Sequence, residues 1–335
     1  MKKLLLASTA LVMTAGAAAA QVNMTGSARM GIIYDNLTVN DGVTNNAKLQ
    51  FTSRIRVAFS MSGETDSGLA FGASIRGDQF GVGNAGNSTM TGGTVYISGE
   101  FGKLTFGDVA GAARAAVGDL YAVGLTGIGD LNEMGYLDRT FSVGLATNLN
   151  RRTAVLYEYS LEGFTFYASL GQNRRTDDLV NGRDTDQLAA IGAKYTFDGF
   201  TVSAGYEMGE AKNVLGGVTT KLDANHLIIG AEYAMDNFKV KAIAGRVGGD
   251  LGTALSAAPG FSRSQYGLSV EGEFDATTVT AFVNRNFETT DYGIGASYDL
   301  GGGAALVGGI SRSGSNSTTG ATNRTRADLG LNFSF

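Results

Sequence analysis

Residues 157–172 read YEYSLEGFTFYASLGQ, and this stretch decides the fold. After the short turn at 161–163, apolar side chains occupy every second position from 164 to 170, with hydroxyl-bearing residues between them. A period of two is typical of a β-strand that has one apolar and one polar face. The stretch therefore predicts two antiparallel strands joined by a tight turn.

The same alternation recurs along nearly the whole chain and predicts sixteen strands. We exclude a further alternating run at 140–146, because it would give an odd number and disturb the alternation of tight turns and long loops. The predicted strands are 22–34, 49–61, 69–80, 93–99, 103–107, 153–160, 164–171, 187–197, 200–208, 223–234, 237–246, 264–274, 277–286, 290–300, 304–312 and 324–335.

The apolar face of these strands carries charge only at strand ends, at Arg246, Arg285 and Arg312. After residue 20 the longest charge-free apolar run is Leu300–Ile310, which is too short for a membrane-spanning helix. Apolar strands joined alternately by tight turns and long polar loops are typical of an outer-membrane barrel. We therefore predict an all-β transmembrane antiparallel barrel of sixteen strands with short periplasmic turns, and keep a soluble periplasmic β-protein as an alternative.

The composition excludes several classes of site. The 335 residues include 50 Gly, one Pro, one His and no Cys, with a net charge of −5. Without Cys there is no disulfide scaffold, thiolate metal site or Cys nucleophile. The net negative charge gives no sign of nucleic-acid binding.

Residues 1–20 have the pattern of a signal peptide. Lys2 and Lys3 precede an apolar segment, and Ala18–Ala20 supplies small residues before Gln21. We expect export and a mature barrel domain at 21–335; a membrane anchor is the alternative, and the segment is short for one.

The connection Asp108–Arg151 is too long for an ordinary structureless loop unless it has a function. A sixteen-stranded barrel has an aqueous lumen, which a loop folded inward would narrow.

The chain resembles the general diffusion porins of alphaproteobacteria over its whole length. The resemblance rests on QVNMTGSARMGIIYD (21–35), EFGKLTFGD (100–108), the hairpin at 157–172 and the terminal Phe335. It implies a homotrimer in the outer membrane, with the third external loop forming the pore constriction and Phe335 acting as a signal to the barrel assembly machinery. Outer-membrane lipid, lipopolysaccharide, and small hydrophilic solutes and ions are the further partners expected.

Two sets of charged residues are the candidate pore-lining groups. The loop acids are Asp108, Asp119, Asp130, Glu133 and Asp138. The arginines at alternate strand positions that face the lumen are Arg29, Arg54, Arg56, Arg76, Arg324 and Arg326. Only Asp78 and Asp328 lie among them as negative charges. Opposite charges across an eyelet create a transverse field that favours polar solutes. Alternatively, individual arginines bind loop carbonyls and hold the loop in place. The negative net charge of the chain favours passage of cations through the pore, whereas the arginines favour passage of anions.

Other functions have weaker support. A sugar-selective channel needs an aromatic track, whereas the inward aromatics Tyr96, Tyr167 and Phe282 are not clearly aligned. An enzyme would need a partner for His226, and Glu232 is about 20 Å away along the same strand. We therefore interpret His226 as an ordinary wall residue and expect neither a catalytic site nor a cofactor.

Two local patterns do not change this interpretation. The glycine motif at 81–86 is followed by a loop rather than the helix that dinucleotide binding requires. The loop carboxylates Asp177, Asp178, Asp184 and Asp186 could hold structural calcium, although their spacing matches no EF-hand.

Overall fold

Sixteen antiparallel strands close into a barrel in the computed structural model, which confirms the predicted fold class. The structure describes residues 21–36, 38–40, 43–45, 48–80, 88–90, 92–137, 154–173, 186–215, 218–258, 260–315 and 323–335. The elements are β1 Gln21–Asp35, β2 Thr38–Asn40, β3 Val43–Asn45, β4 Leu49–Glu64, β5 Ala70–Phe80, β6 Ser88–Met90, β7 Thr94–Gly99, β8 Gly102–Gly107, α1 Ala112–Val117, β9 Ala154–Leu161, β10 Phe164–Asn173, β11 Asp186–Phe197, β12 Phe200–Leu215, β13 Val218–Met235, β14 Phe238–Gly248, α2 Gly249–Ala257, β15 Ser264–Phe274, β16 Thr277–Arg285, β17 Thr290–Gly301, β18 Ala304–Ser313 and β19 Arg324–Ser334.

The barrel closes between its first and last strands. β1 pairs with β4 on one side and with β19 on the other, with Met30 opposite Leu331. At the end of this seam, Gly26 and Phe335 exchange two backbone hydrogen bonds of 3.2 and 2.9 Å. Every other spanning strand pairs with its neighbours in sequence, so the sheet has no open edge.

Side chains alternate between the outer surface and the lumen, as the period of two predicts. On β13, Leu227 and Ile229 are 54% and 53% exposed, whereas His226 and Ile228 are fully buried. The exposed side chains are the apolar ones, which is the reverse of a soluble protein and fits a surface facing hydrocarbon. Aromatic rings stack along the short-turn edge, from Phe164 through Tyr195 and Phe197 to Phe200 and Tyr233.

The tight turns use residues with positive φ. Glu162 and Gly163 have φ values of 47° and 85°, and Asp198 and Gly199 have values of 44° and 80°. Two consecutive positive φ values define the turn whose twist matches paired strands. These turns set the register of the hairpins, and the register places the functional side chains.

Several features were not predicted. β12 and β13 continue as a paired ladder to Leu215 and Val218, through most of a segment predicted to be a polar loop. β6 pairs with β5, and β2 pairs with β3 outside the barrel. The helices α1 and α2 lie in two of the long connections. Among the described residues, no helix is long and apolar enough to cross a membrane.

The main apolar core lies inside the barrel. α1 and the chain after it pack against lumen-facing residues of the wall, including Tyr167, Ile228, Ile243 and Phe282. A smaller cluster joins Leu137, near the far end of this segment, to Val247, Phe287 and two leucines of α2. One long connection thus supplies most of the buried apolar side chains.

Candidate pore constriction

The connection after β8 turns into the lumen and begins with α1. The backbone N–H of Ala112 donates a 2.8 Å hydrogen bond to Ser169 Oγ on β10. Gly192 and Gly205, which are register partners on β11 and β12, let the helix approach the wall. A Cβ at Gly192 would lie 2.4 Å from the carbonyl oxygen of Ala112, so only glycine permits this contact.

The middle of the loop reaches the barrel seam. Asp328 on β19 accepts hydrogen bonds from the backbone N–H groups of Leu125 and Thr126, at 2.9 and 2.6 Å. Arg29 on β1 donates to the carbonyl of Leu125 at 3.2 Å, and Ser311 on β18 donates to that of Ile128 at 3.2 Å. The loop tip is therefore fastened to the wall by both an acid and a base.

The chain then returns alongside its outgoing segment. Asn132 Nδ2 donates to the carbonyl of Leu120 at 2.7 Å, and the N–H of Met134 donates to Asp119 Oδ1 at 2.9 Å. Asn284 on β16 donates to the carbonyls of Leu131 and Glu133, at 2.9 and 3.0 Å. The loop is thus a hairpin-like insertion bound along its length to polar lumen side chains.

A buried network holds the end of this insertion. Gln265 on β15 exchanges two 2.8 Å hydrogen bonds with the backbone of Gly135. Glu207 Oε2 on β12 accepts from the N–H of Leu137 at 2.9 Å and lies 2.8 Å from His226 Nδ1. These contacts tie the loop to two separate strands.

The hydrogen-bond partners of His226 also indicate its tautomer. The amide nitrogen of Gln265 lies 3.0 Å from His226 Nε2. Because an amide nitrogen only donates, Nε2 is the acceptor and Nδ1 carries the proton that is donated to Glu207. His226 is therefore part of the loop anchor rather than an ordinary wall residue. The search along its own strand missed Glu207, which lies opposite it in the β12–β13 register.

The predicted loop acids are in different surroundings. Asp119 and Glu133 both contact Arg114 Nη2, at 2.6 and 3.4 Å. Asp130 is exposed and near enough to Arg29 and Arg326 for electrostatic interaction. Asp108 is exposed beside the end of β8, and Asp138 lies outside the described residues.

The arginines on the lumen parity form two groups. In the first, Arg29 lies opposite Arg54 in the register, and Asp78 contacts Arg56 and Arg76 at 3.3 and 2.7 Å. In the second, Arg324 forms a 2.5 Å ion pair with Asp35, which Arg326 also contacts at 3.4 Å. Asp35 is a third counter-charge that sequence analysis did not assign.

Arg54 differs from the other arginines of the wall. Within the described part of the chain, no carboxylate or carbonyl oxygen lies within hydrogen-bonding distance of its guanidinium group, and its register neighbours include Arg29. Its positive charge therefore remains available to ions and solutes in the lumen.

Sequence reasoning missed the anchoring role of Ser169, Gln265, Asn284 and Ser311. A usable signal was present, because Ile228 and Ile243 are apolar on a parity that otherwise faces water. Apolar residues on the lumen side of a barrel indicate that something covers them. The candidate calcium ligands Asp177, Asp178 and Asp184, the side chain of Asp186 and the glycine motif at 81–86 lie outside the described part of the chain.

Comparisons with known proteins agree with this architecture. The Gram-negative porin family matches residues 7–333. A porin from Rhodobacter capsulatus is 35% identical over 293 residues, which cover 84% of this chain and 90% of the relative. A porin from Fuscovulum blasticum is 27% identical, with 94% of this chain and 100% of the relative covered.

Solved structures give the same result. A porin structure refined at 1.8 Å resolution superposes with a TM-score of 0.68 at 34% identity, covering 94% of this chain and 100% of that one. A mutant of the Rh. blastica porin superposes with a TM-score of 0.67 at 22% identity over the same share of each chain, which supports the fold alone. The chain belongs to the Gram-negative porin family.

Proposed function

We propose that passive diffusion through this outer-membrane porin is limited where residues 108–137, the described part of the predicted constriction loop 108–151, face the arginines of β1, β4 and β5. The observation that carries the proposal is the fastening of Thr126 to Asp328, which holds a segment that starts near β10 against the barrel seam. A loop held to the wall at both β10 and β19 occupies part of the lumen and narrows it. Solutes can then pass this constriction by diffusion, without a gating movement of the loop.

The charges at this point favour polar solutes. Arg54, Arg56 and Arg76 project from one wall, while the exposed Asp130 lies on the loop. Opposite charges separated by a narrow water layer orient that water and any dipolar solute between them. An apolar solute has to displace this ordered water, and small hydrophilic molecules and ions therefore pass more readily. No bond is made or broken.

Two other functions are less well supported. Tyr167 and Phe282, which a sugar-selective channel would use as part of an aromatic track, are only 6% exposed and lie beneath the loop. The family is one of channels rather than enzymes, and His226 is fully buried behind the loop, where no substrate can reach it. These placements favour unselective diffusion and the absence of catalysis.

We propose the same assembly as in the related general porins: export directed by residues 1–20, a homotrimer, and lipid and lipopolysaccharide around the barrel. The side chain of Phe335 is 81% exposed while its backbone pairs with Gly26. A terminal aromatic ring in this position is accessible to the barrel assembly machinery.

The test is conductance of the detergent-purified, heat-modifiable protein in a planar bilayer. We expect large current steps that close in threes, and liposome swelling rates that fall with size among hydrophilic solutes. Folded protein that gives no steps would overturn the diffusion mechanism. Steps that close singly would overturn the trimer alone.

A further inference from the structure

A cavity of about 290 Å³ lies between the end of α1 and the lumen wall. Residues 115–118 line one side, and β11 to β14 line the other with Lys194, Thr201, Ser203, Glu232 and Lys241. Thr196 and Thr201 flank the tight turn at 198–199, so the cavity is on the short-turn side of α1. It is therefore separate from the arginines of the constriction.

Lys194 supplies a charge that is fixed but not neutralised. Its Nζ lies 5.6 Å from the ring centroid of Tyr167, which is itself buried beneath the loop. Throughout the described ranges, no carboxylate lies within ion-pair distance of Lys194. A cation over an aromatic face is oriented by the ring but keeps its net charge.

Lys241 adds a second ammonium group with an incomplete partner. Its Nζ lies 3.7 Å from Glu232 Oε2, and its side chain is only 14% exposed. Asp119 is near enough for electrostatic interaction, but it is already bound to Arg114. The cavity wall therefore carries two positive charges and one negative charge.

Uncharged groups complete the lining. The hydroxyls of Thr196 and Thr201 lie 3.0 Å apart, so that one hydroxyl hydrogen satisfies the pair and the other is left to donate. Ser203 donates a long 3.3 Å bond to the carbonyl of Gly230 and retains its acceptor capacity.

We propose that this cavity transiently binds small carboxylate-bearing solutes, with the carboxylate between Lys194 and Lys241. The hydroxyls of β11 and β12 bind the remainder of the solute. The proposal rests on the proposed function, because the solute reaches the cavity through the open lumen. The volume of the cavity suits a molecule of a few carbon atoms. A carboxylate held there occupies the lumen next to α1 and interrupts the ion current while it is bound.

Succinate is the probe, with neutral succinamide as its counterpart of similar size. In single-channel records at low salt, we expect succinate to produce brief current interruptions that succinamide does not. Lys194→Gln raises the half-blocking succinate concentration at least fivefold, whereas Lys194→Arg keeps it within twofold of wild type. Lys103→Gln is the matched control, because Lys103 also lies over a tyrosine, at 4.5 Å from the ring of Tyr96 and outside the cavity.

Ser203→Asp is a second test of the site. The new carboxylate in the cavity should repel succinate and weaken the block, as Lys194→Gln does. Unchanged block in both Lys194→Gln and Ser203→Asp would overturn the proposed site, as would equal block by succinamide. Conductance without succinate reports the folding of each variant. Wild-type protein without any conductance would contradict the diffusion mechanism instead, so the two failures are distinguishable.

Discussion

Asp328 on the last strand accepts hydrogen bonds from both the backbone N–H and the hydroxyl of Thr126, at 2.6 and 2.7 Å. The same carboxylate also binds the N–H of Leu125 at 2.9 Å. A single side chain thus satisfies three donors in the inserted loop. Polar side chains of the barrel wall bind the backbone of the loop, while the loop's own apolar side chains pack against the wall.

Replacing this carboxylate should loosen the constriction. Asp328→Ala removes three hydrogen bonds to a charged acceptor, and we expect a loss of about 3 kcal/mol, or a hundredfold in the ratio of docked to undocked loop. The measurement is open-channel current noise, which should rise markedly, together with faster proteolysis between residues 119 and 133. Asp299→Ala, an exposed position near the end of β17, is the control. Quiet channels in Asp328→Ala would contradict this role.

The buried pair Glu207 and His226 should matter for stability. Glu207→Ala leaves the N–H of Leu137 and Nδ1–H of His226 without an acceptor, and each unsatisfied group costs about 1–3 kcal/mol. We expect a lower temperature for the loss of the heat-resistant form on gels. Glu273→Ala on the rim, where the side chain is 55% exposed, should not change it. Equal melting of the two variants would show that the network is unimportant.

A larger residue beneath α1 should displace the helix. A Cβ at Gly205 would lie 2.5 Å from the Cβ of Ala113, and Gly205→Val adds still more volume. Such overpacking costs about 1–3 kcal/mol, and moving α1 toward the lumen axis relieves it. We expect a smaller single-channel conductance. Ala204→Val, next in sequence but facing outward, should conduct like wild type; equal conductance of both variants would contradict the close contact.

Arg54 should influence ion selectivity more than its paired neighbours do. Arg54→Gln removes an unneutralised charge from the lumen, so we expect the reversal potential in a salt gradient to shift toward cations. The shift should be clear near 0.1 M salt, where the screening length is about 10 Å, and small at 1 M, where it is about 3 Å. Arg324→Gln, whose partner is Asp35, should shift the potential less. An equal or larger shift for Arg324→Gln would contradict this assignment.

The barrel was predictable because its signal is local. Alternation and tight turns lie within ten or so residues, as at 157–172, and each strand carries its own lipid-facing pattern. The path of the loop was not predictable in the same way. Asp328 was interpreted as a counter-charge for arginines, and His226 as an ordinary wall residue, because their partners come from other parts of the chain.

Register decides these contacts. Glu207 meets His226 only because β12 and β13 pair as they do, and no spacing in the sequence reports that pairing. α1 was missed for another reason: AARAAV is a short alanine-rich segment whose stability comes from the glycines opposite it on β11 and β12. A helix of this length is marginal without such packing.

The seam between β1 and β19 also sets an order of events in biogenesis. Asp328, which holds the loop tip, belongs to the last barrel strand to leave the ribosome, whereas Thr126 is synthesised much earlier. The Asp328 contacts at the loop tip therefore cannot form until β19 has been synthesised. A chain interrupted before β19 would have neither a sealed wall nor the Asp328 contacts to the loop tip, which links the finished pore to synthesis of this strand.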